Sequence, residues 1–242
     1  EKKPDFVINK KFFIKGDNKM KKIGICGKWV KKFLLTIAMT MIFSVFEFIL
    51  NVPLGVGITM VPKDLKELQV KSGVGFEAGV TAQLGYMAQV VNGFGISALF
   101  ELGYAHDSFG FKFTDTEKMS LALDSFQVGL LPKFNIGAFS IGIGGGVKVP
   151  LGGKVNLGDG SGSFKLAMVD ALSIFAPPVI GYVKATFDYS IFFTDKLALN
   201  VGLYLAGDIA KIELFQDASG NALGISSFDI GVELGFKFGP KA

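Results

Sequence analysis

Arginine is missing from this chain: all 25 cationic side chains are lysine, and there is a single histidine and a single cysteine. Without arginine the chain lacks the planar fork favoured for bidentate phosphate recognition. One histidine and one cysteine exclude a metal centre built on those ligands, and a lone cysteine excludes an internal disulfide. Cys26 precedes the apolar run of the N-terminal segment, so it is not placed as a lipid-anchored cysteine, which would follow such a run. No cofactor and no metal is expected.

Positive charge is scarce where the bulk of the chain lies. Residues 1–45 hold 11 Lys against 3 acidic residues, whereas residues 46–242 hold 14 Lys against 18. The pI of 9.0 therefore belongs to the N-terminal segment, and the chain carries no nucleic-acid footprint. The N-terminal apolar run, Phe33 to Phe46 inside "MKKIGICGKWVKKFLLTIAMTMIFSVFEF", spans 14 uncharged residues, short of the roughly 20 that a membrane-spanning helix needs. A lysine-rich start followed by a short apolar run is the layout of a secretory signal peptide. Residues 20–45 are read as that helical signal peptide, residues 1–19 as an upstream extension before Met20, and residues 46–242 as one β-domain.

What fills those last residues is alternation. In "GVGFEAGVTAQLGYMAQVVNG", residues 73–93, Val74, Phe76, Val80, Leu84, Tyr86 and Val90 fall on even positions with small or polar residues between them. A period of two marks a strand with one apolar face. The pattern recurs eight times, near 47–59, 73–93, 94–106, 121–135, 139–151, 178–193, 197–209 and 227–238. The connections alternate in length. Asn92-Gly93, Gly137-Ala138 and Thr194-Asp195-Lys196 make tight turns, while the intervening connections are long and rich in Gly, Asp, Ser and Lys. Short turns on one end and long loops on the other describe an antiparallel up-and-down barrel. Pro53 and Pro132 fall inside strands, and each predicts a bulge or bend.

Such a barrel turns its apolar face either inward, to hold a ligand, or outward, to lipid. Volume decides. Eight strands enclose a space that side chains just fill, and the apolar face offers about fifty residues. They do not fit inside. The opposite face is rich in glycine, with Gly55, Gly79, Gly129, Gly144, Gly202 and Gly231 among others, and suits a narrow lumen. Phe76, Leu84, Tyr86, Phe100, Phe126, Phe187 and Phe236 are therefore expected to face lipid.

With that polarity, residues 47–238 resemble the small eight-stranded outer-membrane barrels of the outer membrane protein A, X and W type. "SFQVGLLPKFNIGAFSIGIGGGVKVPL" is similar to their central hairpins, and "FDIGVELGFKF" to their terminal assembly strand, here followed by "GPKA". The resemblance implies a bacterial outer-membrane location with both termini periplasmic, lipid and the barrel-assembly machinery as partners, host or cell-surface ligands at the loops, and a monomer. It does not extend to the peptidoglycan-binding domain of the A type, for which no sequence remains.

Several polar positions lie on the inward face: Glu47, Glu77, Glu101, Asp188, Asp229 and Glu233 against Lys133, Lys148, Lys184 and Lys237. Counted from the short turns, Glu101, Gln127, Lys148 and Lys184 fall at similar height. With Glu77 and Glu233 they are read as a lumenal ion network, because charge at low dielectric must be paired; individually hydrated side chains are the competing reading. His106 and Ser108 share a face in "YAHDSFG" and resemble the catalytic pair of barrel enzymes that deacylate lipid A, with Glu117 as candidate orienting acid, against a plain interfacial histidine. The segment Phe164–Phe175 is expected to pack over the barrel mouth. Three functions follow: a surface structural or adhesion role carried by the long loops, a narrow pore or conduit for small or hydrophobic solutes, and, most remotely, the lipid A enzyme.

Overall fold

The computed structural model describes residues 44–63, 66, 70–113, 118–158, 162–216, 220 and 222–242. The upstream extension and residues 20–43 of the expected signal peptide lie outside the described residues, as does Glu117, while Ser44 and Val45 begin the first strand.

Alternating sequence makes the strands it predicts. In chain order they are β1 (Ser44–Met60), β2 (Lys71–Ser72), β3 (Val74–Val91), β4 (Phe94–Lys112), β5 (Lys118–Leu130), β6 (Lys133–Ile136), β7 (Phe139–Leu157), β8 (Gly162–Leu166), then the helix α1 (Met168–Ser173), β9 (Ile180–Phe192), β10 (Leu197–Gln216) and β11 (Ala222–Phe238). β5 and β6 act as one staved strand, so eight staves close a ring: β1, β3, β4, β5/β6, β7, β9, β10 and β11, with β11 returning to β1. That closure runs in unbroken antiparallel register from Phe48 opposite Phe238 to Met60 opposite Ser226. A closed ring leaves no exposed strand edge, the condition for crossing lipid.

The tight turns are where the glycines place them. Gly93 and Gly137 take φ of +84° and +59°, which a side chain disfavours, and each closes a two-residue hairpin. At the prolines the register does not shift. Pro53 sits opposite Glu233 with no shift of register. Pro132 interrupts its stave between Leu130 and Lys133, yet Leu130 still faces Gly145 and Lys133 faces Gly142, so the ladder loses bonds without slipping. The bulge in this part of the wall lies instead between Asp124 and Ser125, where Ser125 faces Pro150.

The strands also run further than the sequence boundaries indicate. β7 continues to Leu157 and is covered there by β8, and β10 pairs with β11 as far as Gln216 opposite Ala222. At this long-loop end Phe109, Phe111, Leu121 and Leu123 turn inward and meet Ala171, Ile174 and Phe175 of the α1 segment, with Ile180, Ile212 and Ile225. The apolar core of the molecule is this plug inside one end of the ring. Elsewhere most large apolar side chains point outward, with Ile49, Met87, Leu99 and Leu131 among the buried exceptions.

Candidate functional site: a sealed lumen

Outside, the wall is continuous hydrocarbon. Phe76, Tyr86, Phe100, Phe126, Phe187 and Phe236 are all exposed, and Leu84 is half-buried on the same face. Near the short turns aromatic rings pair across strands, Phe46 edge-on to Tyr86 and Phe139 against Tyr189 at 4.7 Å, in the manner of an interfacial girdle. A soluble surface does not expose such a band.

Inside, one strand reads the lumen from bottom to top. Along β4 the inward residues run Ser97, Leu99, Glu101, Asp107, Phe109 and Phe111, from the short turns to the plug. Three polar tiers correspond. In the lowest, Lys237 pairs with Glu47 at 2.6 Å and Lys133 with Asp188 at 2.7 Å. Ser97 donates to Glu47, Asn135 to Ser97 at 2.8 Å and Ser140 to Asn135 at 2.6 Å, carrying the network across four strands.

The middle tier is centred on Glu101. It accepts from Gln83 at 2.9 Å, Gln127 at 2.5 Å and Tyr182 at 3.0 Å, and the Lys184 ammonium stands 3.6 Å away. Lys184 also pairs with Glu233, which accepts from Asn51. The upper tier gathers acids around one lysine. Lys148 lies 3.0 Å from Asp208, 3.0 Å from Asp107 and 3.5 Å from Glu77, and Tyr204 donates to Glu77 at 2.6 Å.

The structure thus links Glu101, Gln127, Lys184 and Glu233 by direct contacts, and gives the neighbouring Lys148 and Glu77 contacts of their own. Asp107 and Asp208 were missed, since both stand near strand ends that the alternation leaves outside or unmarked. Parity could have found them: Asp107 continues the inward series of Glu101, and Asp208 that of Tyr204.

The lumen is not lined by small residues alone. Tyr182, Tyr204, Met87 and Leu99 all project inward and are buried. Glycine makes their room: a Cβ on Gly55 would lie 2.2 Å from the Tyr204 hydroxyl, and one on Gly129 2.1 Å from that of Tyr182. Filled in this way, the tiers leave between Glu77, Gln127, Lys148, Tyr182 and Lys184 a cavity of about 10 Å³, no more than a single water occupies. Among the described residues no group of three or more His, Cys, Asp or Glu is arranged to hold a metal ion.

On the outer wall His106 finds an acid, and it is Asp124, 2.8 Å from Nδ1, which also accepts from Tyr104. Asp124 is the cross-strand partner of His106 in β5, a relation that only the register reveals. Ser108 does not turn to the imidazole. Its hydroxyl accepts from the Phe76 amide at 2.7 Å and donates to the Phe76 carbonyl at 3.2 Å.

No protein family is matched by the sequence, and no curated protein is similar to it in sequence. A comparison with solved structures aligns the chain with three outer-membrane proteins. Ail, the attachment invasion locus protein of Yersinia pestis, is 12% identical over 79% of this chain and 98% of its own, with a TM-score of 0.32. The outer membrane protease OmpT of Escherichia coli is 10% identical over 81% of this chain and 96% of its own, with a TM-score of 0.35. The translocator domain of the autotransporter NalP of Neisseria meningitidis is 13% identical over 92% and 98%, with a TM-score of 0.20. No residue role is carried across from them. By stave count, ring closure and its outward apolar wall, the chain is an eight-stranded antiparallel transmembrane β-barrel with the architecture of the small outer-membrane barrels its sequence resembles.

Proposed function

We propose that the chain is an outer-membrane barrel of structural and surface-interaction kind, which contacts host or neighbouring cells through its long-loop end. The observation that carries this reading is the filled interior: among the described residues three polar tiers and an apolar plug occupy the lumen, with a cavity of about 10 Å³ between the middle and upper tiers, so the distinctive surface is at the loops. The sealed interior weighs against the pore or conduit. Cells displaying the chain are expected to adhere to host-cell monolayers, and replacing residues 152–179 by a two-residue turn is expected to abolish the adherence while the barrel still assembles. Undiminished adherence of that variant would remove the proposal.

The His106–Asp124 contact favours one further reading, an enzyme acting on membrane lipid with His106 as general base. Ser108 bonded to the neighbouring backbone argues against it, because a nucleophile must be within reach of its base. Incubation with lipopolysaccharide is expected to release no fatty acid; release that disappears in His106→Ala would establish the enzyme instead.

A further inference from the structure

At the long-loop end β8 stands outside the ring. It pairs with the upper end of β7, from Gly153 opposite Leu166 to Leu157 opposite Gly162, and among the described residues no strand lies along its far side. A closed ring has no edge, but this extension of the sheet has one. The amide and carbonyl groups that alternate residues of such an edge turn outward are a template for one more strand. Nothing described fills it: Gly162, Ser163, Phe164 and Lys165 are exposed, and no further backbone hydrogen bond reaches β8.

The two faces of this edge differ in chemistry. Leu166 and Val155 pack against the plug, and Phe164, opposite Val155, shares their face with 59% of its surface exposed. The α1 segment that follows exposes Met168 and Val169 as well. On the other face Lys165 stands directly opposite Lys154, an arrangement of like charges that destabilises a sheet. Lys133, Lys148, Lys184 and Lys237 each meet a carboxylate in the lumen. Lys154 and Lys165 meet none among the described residues. A second copy paired edge to edge would add its own two lysines to the same patch, so charge opposes self-pairing while it favours an acidic strand.

We propose that the free edge of β8 receives an extended segment of a partner protein in which acidic side chains alternate with apolar ones. Backbone hydrogen bonds hold such a segment, and side chains of alternate parity give it specificity. The acids meet Lys165, one strand away at about 4.8 Å, and Lys154 one strand further. The apolar side chains cover Phe164 on the opposite face. The inference deepens the surface-interaction reading and rests on it for the kind of partner.

The test uses the purified, refolded chain and fluorescent peptides followed by anisotropy: one alternating valine with glutamate, one alternating valine with lysine, and the glutamate peptide with a central proline, which cannot donate to a ladder. The glutamate peptide is expected to bind and to slow amide exchange within residues 162–166; the other two are expected to bind at least several-fold more weakly. Lys154→Glu with Lys165→Glu is expected to weaken the glutamate peptide by about tenfold and to make the lysine peptide the tighter ligand. Lys196→Glu with Lys241→Glu, at the short-turn end, is expected to change neither. Heat-modifiable migration in gels reports that each variant is folded. No binding of the glutamate peptide, equal binding of the lysine or proline peptide, no inversion by the charge reversal, or capture of phospholipid vesicles in place of peptide overturns the proposal. Peptide failure with displaying cells still adherent removes the edge and leaves the adhesion role, whereas peptide binding without adherence keeps the edge and removes that role.

Discussion

Lys184 shows how much a single lumenal residue holds. Its ammonium serves both Glu233 and Glu101, and all three side chains are buried. Removing one partner of a buried pair leaves the other charge without compensation, at a cost of about 3–5 kcal/mol, whereas replacing the whole set by neutral groups can be nearly free. Lys184→Met is therefore expected to lower the urea midpoint of unfolding substantially, and Lys184→Met with Glu101→Gln and Glu233→Gln to recover most of it. A triple variant as unstable as the single one would mean that Lys184 acts through packing, for instance through its stem against the Tyr204 ring, which its ammonium faces at 5.4 Å. Residue identity alone announces these charges as inward, since each falls on the face opposite the phenylalanines. Their partners cannot be read from it. Glu101 and Lys184 are 83 positions apart, and their meeting depends on the stagger of β4 against β9.

At the scale of elements, the α1 segment and the inward ends of β4, β5, β10 and β11 form one apolar unit distinct from the polar tiers below. The sequence places Phe164–Phe175 over the mouth, and the structure seats Ala171, Ile174 and Phe175 within the ring, with Phe175 bridged to Ile212 of β10. A buried phenylalanine cut to alanine typically costs about 3–5 kcal/mol. Because the lower tiers are independent of it, Phe175→Ala is expected to loosen only the long-loop end. Limited proteolysis should then cut within residues 152–179 at least several times faster, while the heat-modifiable barrel persists. Global unfolding in the same variant would show that plug and barrel form one cooperative unit. Part of this was legible: apolar residues in a loop after a glycine-rich stretch must cover something. The inversion at the strand ends was not, because Phe109, Phe111, Leu121 and Leu123 obey the same parity as the lumen acids and differ only in height.

For the whole molecule the consequence is a barrel closed in two chemically different ways. Ion pairs close it along the lower and middle axis, and hydrocarbon closes it at the top. The chain is expected to be silent in planar bilayers. Removing the plug alone, by replacing residues 163–176 with a short linker, should leave it silent, because the Glu101 and Lys148 tiers remain. Adding Glu101→Ala and Lys148→Ala to that variant should produce discrete conductance steps. Steps from the unaltered chain would contradict the sealed lumen, and silence of the combined variant would show that the large inward side chains, Tyr182 and Tyr204, suffice as the barrier.

The sequence by itself determined the number of staves, which face each residue takes and which way the barrel is turned. Those follow from a period of two, from turn chemistry and from a volume too small for the apolar set. Only the tertiary structure decided the pairings. His106 meets Asp124 across the strand pair, Lys148 pairs with Asp107 and Asp208, and lysines come to lie beside lysines on the outer wall. Alternation is a local property of one strand, whereas register and stagger are properties of neighbours, set by the closure of the whole ring.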